Sequence, residues 1–219
     1  EWFDYASYSY FATTIALVFF PTDNHTVAML QTFGVFALSF ILRPIGALFW
    51  GSYGDKKGRK AALAHSIMFM SGASFLIGCL PSYSVIGVGA PILLLLLRMV
   101  QGFSASGEYA GAATFLGEYA PTSKRGIYCS LIPASTAIGL LAGSTLATLM
   151  TANMNSSAMV GWGWRVPFLL AGPLGLIVLY IRAKLADSPV YQSMNDALES
   201  KGAASADGQI AAKSGMFAP

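Results

Sequence analysis

Leu93 to Gly117 is LLLLLRMVQGFSASGEYAGAATFLG. At a rise of about 1.5 Å per residue the stretch is long enough to cross a bilayer as a helix, yet it carries Arg98 and Glu108 inside it. A charge in hydrocarbon costs about 3 kcal/mol even on lenient insertion scales, so such residues face a protein interior or a water-filled path. With about 100° of turn per residue, Arg98, Gln101, Ala105 and Glu108 fall within an arc of roughly 80°, while Leu95, Val100, Phe103 and Phe115 look elsewhere. Gly102, Gly107, Ala110, Gly111 and Ala112 strip the helix of bulk, and the Gly107/Gly111 spacing lets neighbouring membrane helices approach closely. The spacing predicts a cavity-lining helix in a packed bundle.

The rest of the chain agrees. Its 219 residues are 55% hydrophobic and 11% charged, with a mean hydropathy of +0.58, which places it in a membrane rather than in water. The chain opens on Glu1 and is already apolar from Trp2, so the first helix is expected to begin upstream. It has neither the basic start nor the small-residue cleavage site of a signal peptide. Six apolar stretches have spanning length: Trp2 to Phe20, Val27 to Trp50, Ala61 to Leu80, Pro91 to Gly117, Ile127 to Met150 and Val166 to Ala183. All six are expected to be helices, because open strands cannot satisfy their backbone in lipid. The expected organisation is a six-helix bundle over residues 1–184, followed by a polar cytoplasmic linker over 185–219 with a short amphipathic helix near Val190 to Leu198.

Lysines and arginines give the orientation. Lys56, Lys57, Arg59 and Lys60 follow the second stretch, Lys124 and Arg125 follow the fourth, and Arg182 and Lys184 close the sixth. The first and third joints have none, so both ends of the segment are predicted to be cytoplasmic, with Trp162 and Trp164 at the outer interface. Cys79 and Cys129 lie in apolar runs and are expected to be small buried hydrophobes. His25 and His65 are expected to be solvated or locally satisfied. No His, Cys or paired-carboxylate cluster has metal spacing and no glycine-rich phosphate loop follows a strand, so neither an enzyme nor a cofactor or metal site is expected. A net charge of +3 gives no reason to expect nucleic acid once topology explains the basic residues.

Counting from the outer ends of the helices puts Asp4, Arg43 and Glu108 about 25 Å deep, and Arg98 about 10 Å below Pro91. Opposite charges from three helices can thus meet, as on proton or substrate routes. Arg43 could instead snorkel to the headgroups, and Asp4 could be an interfacial cap. Tyr8, one turn from Asp4, could line the same cavity or simply pack.

The joint Gly51-Ser-Tyr-Gly54-Asp55-Lys-Lys-Gly58-Arg59 resembles the signature loop of the major facilitator superfamily. Its glycines suit a tight reversal, Asp55 could cap the next helix, and Arg59 is within reach of Asp55. Arg98-x-x-Gln101-Gly102 is similar to the family's second motif, Glu118-x-x-Pro121-x-x-x-Arg125-Gly126 to its next cytoplasmic loop, and Asp187-Ser188-Pro189 to the element closing each half. Glu1-Trp2-Phe3-Asp4, Arg43-Pro44-Ile45-Gly46, Gly107-Glu108-Tyr109 and Gly163-Trp164-Arg165-Val166-Pro167-Phe168 resemble the metabolite:proton symporter branch, with the proline/betaine carriers nearest.

This resemblance implies an all-α fold, the amino-terminal half of a 3+3 inverted-repeat transporter in a bacterial inner membrane, with a second six-helix half as partner. It implies symport of protons with a small zwitterionic or anionic solute: proline or glycine betaine first, carboxylates like 2-oxoglutarate or citrate second. Asp4 or Glu108 would take the proton and Arg98 would couple it to the solute, with Tyr8, Gln101 and Arg98 as solute contacts. Gly51, Gly54, Asp55, Gly58, Arg59, Glu118 and Arg125 would serve the conformational change. The fifth helix has Pro133 and the Gly139/Gly143 pair instead of the antiporters' glycine-proline motif, which favours symport. The rival expectation is a non-transporting six-helix assembly partner or sensor.

Overall fold

The computed structural model describes residues 1–184, all in helices and short connections. The acidic-Ser-Pro element at Asp187 to Pro189, the helix expected near 190–198 and the linker lie outside the described residues. The first span is bent: α1 (Trp2–Tyr10) passes into α2 (Ala12–Phe19) through Phe11. Its backbone ladder continues from Phe11 N–H to Ser7 O at 3.0 Å and from Ile15 N–H to Phe11 O at 2.8 Å, so the pair remains one crossing. α3 (His25–Ile41), capped by the Asn24 side chain, gives way at Leu42 to α4 (Arg43–Lys57). Pro44, in the first turn of α4, lacks the N–H that would carry the ladder on, which accounts for the break.

α4 overruns the joint expected between the second and third spans. Gly51 and Gly54 are helical, and only Gly58 reverses the chain, at φ 94° and ψ 146°. Gly58, not Asp55, holds the N-cap position of α5 (Arg59–Cys79). That backbone region is essentially closed to side chains. Gly58→Ala is therefore expected to lower stability by about 1–3 kcal/mol, and Gly51→Ala, whose Cβ would meet nothing within 4 Å, to leave it unchanged; thermal unfolding in detergent checks both.

A short turn, α6 (Tyr83–Ile86), leads into α7 (Gly89–Tyr119), the axis of the bundle. α8 (Arg125–Asn153), α9 (Ser156–Ala158), a π-helical turn (Met159–Gly163) and α10 (Arg165–Lys184) complete the described chain. α7 packs against α3, α4, α5 and α8, while α1 packs against α8 and α10, and α5 against α10. Five of the described segments are long and apolar enough to cross a membrane; with the bent α1–α2 pair counted ahead of them and the six numbered in chain order, contacts 1–5 and 4–2 exchange when three is added, as do 1–2 with 4–5 and 3–4 with 6–1. This is the signature of a 3+3 repeat.

Small residues set the equivalent close approaches. A Cβ at Gly102 would lie 1.9 Å from Ser39 O, and one at Gly46 2.2 Å from Phe103 O; on the other repeat a Cβ at Gly143 would lie 2.7 Å from Ala6 Cβ. Trp50 Nε1 donates to Phe103 O at 3.1 Å beside the α4–α7 crossing. The core joins Tyr8, Phe11, Ile15 and Phe19 to Ile77, Leu94, Trp164 and Phe168.

Of the two indoles expected at an interface, Trp164 is fully buried against Phe19 and Phe168 and only Trp162 is exposed. Arg165 Nη1 donates to the carbonyls of Gly78, at 2.8 Å, and Leu80, closing the carboxyl end of α5. Cys79 is exposed rather than buried, and His65 is satisfied by Ala61 O at 2.7 Å. On α8 the exposed hydroxyls of Ser130, Ser135, Ser144 and Thr148 each donate to a carbonyl three or four residues back on the same helix.

Candidate functional site

The charges expected to share one chamber sort into two linked clusters. Arg98, fully buried, donates through Nη1 to Asp4 Oδ2 at 2.8 Å. The Arg98 and Asp4 side chains are therefore in direct contact, whereas the depth count had set them apart. Gln101 Nε2 donates to the same carboxylate oxygen at 3.1 Å and also to Ser74 Oγ on α5. The Tyr8 ring lies flat beneath Arg98, 3.8 Å from the guanidinium carbon, and its hydroxyl donates to Thr32 O at 2.9 Å. Tyr8 and Gln101 are thus enclosed in the network rather than facing an open cavity.

Arg43 neither snorkels nor meets Asp4. Its Nη2 donates to Glu1 Oε1 at 2.7 Å and to the Tyr5 hydroxyl, and its guanidinium lies 4.4 Å from the centre of the Phe40 ring. Glu108, half-buried on the same face of α7, stands with Glu1 at the wall of two cavities. The larger, about 470 Å³, lies between α1, α7 and α8 and is edged by Tyr109, Ser135 and Thr136. The smaller, about 150 Å³, lies between α1, α5, α7 and α10 and is reached by Asp4, Ser71 and Ser74.

Seven buried side-chain polar atoms have no partner among the described residues, and four belong to the Asp4–Arg98–Gln101 network: Asp4 Oδ1, Arg98 Nε and Nη2 and Gln101 Oε1; the others are Arg43 Nε, Ser104 Oγ and Trp164 Nε1. Unsatisfied groups at such depth are expensive, and their concentration at one ion pair marks a site rather than a packing device. Arg98 Nη1 holds Asp4, which leaves the Nε/Nη2 edge, the edge that takes a carboxylate in two parallel hydrogen bonds.

Glu1, Ser74, Tyr5 and Thr32 were missed as site members in the sequence. Ser74 and Thr32 give no signal, being ordinary small polar residues of a membrane helix; Glu1 could have been found as the acid that Arg43 requires. Of the residues expected to serve the conformational change, Asp55 and Arg125 are exposed, Glu118 is half-buried and Gly54 is buried. No group of three or more potential metal ligands occurs among the described residues.

An all-helical membrane bundle with repeat symmetry around a buried acid–guanidinium pair is the amino-terminal half of a major facilitator fold. The xylose transporter XylE from E. coli, in an inward-open conformation, superposes with a TM-score of 0.76 at 20% identity over 90% of this chain and 47% of its own. The proton:xylose symporter XylE bound to a bromo-deoxyglucose superposes at 0.77 with 17% identity, covering 87% and 42%.

Residues 1–213 match the family described as "Sugar (and other) transporter", and the chain belongs to that family. The proline/betaine transporter of Salmonella typhimurium is 43% identical over 199 residues, 91% of this chain and 40% of that protein. The glycine betaine/proline/ectoine/pipecolic acid transporter OusA of Dickeya dadantii is also 43% identical, with the same coverage. A putative proline/betaine transporter of Staphylococcus aureus is 44% identical over 88% of this chain and 42% of its own length. The chain spans about two-fifths of the length of these relatives.

Proposed function

We propose that the intact protein is a secondary transporter that takes up a small zwitterion together with protons by alternating access. Proline or glycine betaine is the first choice of solute, carboxylates such as 2-oxoglutarate or citrate the second. The observation that carries this reading is the free Nε/Nη2 edge of buried Arg98 beside a carboxylate, in a chain 43% identical to proline/betaine transporters.

With Asp4 ionised, Arg98 is neutralised by it. When Asp4 takes a proton, Arg98 keeps its charge and loses its counter-ion, and in a low-dielectric interior that favours binding a solute carboxylate. Glu108 is the second proton-carrying candidate, because it faces both cavities. Tyr8 and Gln101 would contact the solute once the Asp4–Arg98 contact opens.

Rocking against a second six-helix half would then expose the site to either side. In this reading Gly51, Gly54, Asp55, Gly58, Arg59, Glu118 and Arg125 form the cytoplasmic hinge and gate, both ends of the segment are cytoplasmic, and the membrane is a bacterial inner membrane.

The test is full-length protein in proteoliposomes, given labelled proline, glycine betaine, 2-oxoglutarate and citrate with and without an inward proton gradient. Gradient-dependent accumulation of proline or betaine is expected, abolished by a protonophore. If none of the four is taken up, or if Asp4→Asn, Arg98→Gln and Glu108→Gln all leave uptake intact, the reading is wrong.

A further inference from the structure

The two cavities lie on opposite sides of α1 and share only Glu1, Phe3 and Glu108 of their lining. Asp4 lines the smaller cavity and not the larger. We propose that the proton reaches Asp4 through this smaller cavity, behind α1 and apart from the solute's route, and that Ser74 is the positioning residue that readies Asp4 for it. The inference rests on the reading above that the intact protein couples solute uptake to protons.

The linings differ in what they can admit. Among the described residues no lysine, arginine or histidine lines either cavity, but the smaller gathers three carboxylates, Glu1, Asp4 and Glu108, around about 150 Å³, where the larger has two, Glu1 and Glu108, around about 470 Å³. Such a wall repels a carboxylate solute and attracts a cation, and an elongated zwitterion would find no partner there for its acidic end. The larger cavity has about three times the volume and lacks Asp4, so it is the better vestibule for a solute. Small residues keep the rear path narrow, since a Cβ at Gly175 would come within 2.3 Å of Ser71.

Ser74 joins that path to the ion pair. It lines the smaller cavity and accepts from Gln101 Nε2. This turns the NH₂ end of the Gln101 amide toward Asp4 Oδ2, which Arg98 also holds. Both donors act on the same oxygen, leaving Oδ1 of the buried carboxylate as the one with no partner among the described residues. Proton uptake is then an addition to Oδ1: an O–H bond of a hydronium ion entering through the cavity breaks, an O–H bond forms on Oδ1, and a water molecule is left behind.

The titratable and charged groups around Asp4 are Glu1, Tyr5 and Tyr8 on its own span and Arg98 and Glu108 from α7, with Arg43 from α4 reaching it through Glu1. α5 and α10 contribute only neutral groups to this wall.

The experiment uses full-length protein in proteoliposomes with proline as the probe. It compares proton-gradient-driven uptake with proline–proline exchange at equal pH on both sides. Ser74→Ala is expected to slow gradient-driven uptake by about tenfold, the effect of losing one hydrogen bond to a charged network. It should also shift the pH profile of that uptake and slow proline–proline exchange by clearly less than it slows uptake, and Ser74→Thr, which keeps the hydroxyl, should restore the rate. Ser71→Leu, which narrows the cavity, should behave like Ser74→Ala. Thr136→Val, on the other side of α1, should raise the exchange KM and leave coupling intact.

Equal losses of uptake and exchange in Ser74→Ala, no loss of uptake, or uncoupling by Thr136→Val would each overturn the separate route. Proline exchange with no gradient dependence in the unaltered protein would overturn the symport reading itself, and this proposal with it.

Discussion

Arg98→Met in the full-length protein is expected to abolish gradient-driven uptake and to lower stability by about 3–5 kcal/mol, because it leaves the Asp4 carboxylate buried without its counter-charge. Arg98 is fully buried, and its only ion pair among the described residues is with Asp4. Adding Asp4→Asn to Arg98→Met removes the stranded charge, so the double variant should regain most of the lost melting temperature. It should not regain uptake, since neither the proton site nor the carboxylate-binding edge survives. Thermal unfolding in detergent and uptake in proteoliposomes separate the two effects. A single Arg98→Met variant that melts like the parent would show that the pair holds no place in the fold.

The second large effect concerns packing. Gly102→Val should prevent α7 from seating on α3, because even its first side-chain carbon would sit 1.9 Å from the Ser39 carbonyl oxygen. Overpacking usually costs about 1–3 kcal/mol and more where, as here, the obstruction is backbone. The expected result is failure to accumulate in the membrane, read as protein level and as aggregation on size exclusion. Gly34→Ala, at a position where the added carbon meets nothing within 4 Å, is the matching control and should accumulate normally. Normal accumulation of Gly102→Val would mean that this helix crossing is looser than the geometry shows.

Much of the fold was legible because a membrane-spanning helix leaves two strong marks, its length and the side on which its polar residues fall. The face of α7 carrying Arg98, Gln101, Ala105 and Glu108 follows from helical period alone: the first three are buried and Glu108 half-buried, while Val100 is exposed. Pairing across helices was less legible. Counting residues from the loops treats every helix as straight and every side chain as short, so the bend at Phe11 and the length of the Arg98 side chain hid the contact with Asp4.

The glycines of Gly51 to Gly58 illustrate a different limit. Glycine permits a reversal without requiring one, and here the helix runs through Gly51 and Gly54 before turning at Gly58. Trp164 shows the same ambiguity from the opposite side. An indole near a helix end suits both a headgroup region and a core, and Phe19 and Phe168 decide for the core.

The exposed hydroxyls of α8, each donating back to its own helix, have one more consequence. Their donors are already occupied and only lone pairs are left, so this flank offers a neighbouring lipid or protein no hydrogen-bond donor. A surface of that kind can slide past aliphatic neighbours without first breaking directional bonds, like a greased bearing, and its resting position is fixed by shape alone.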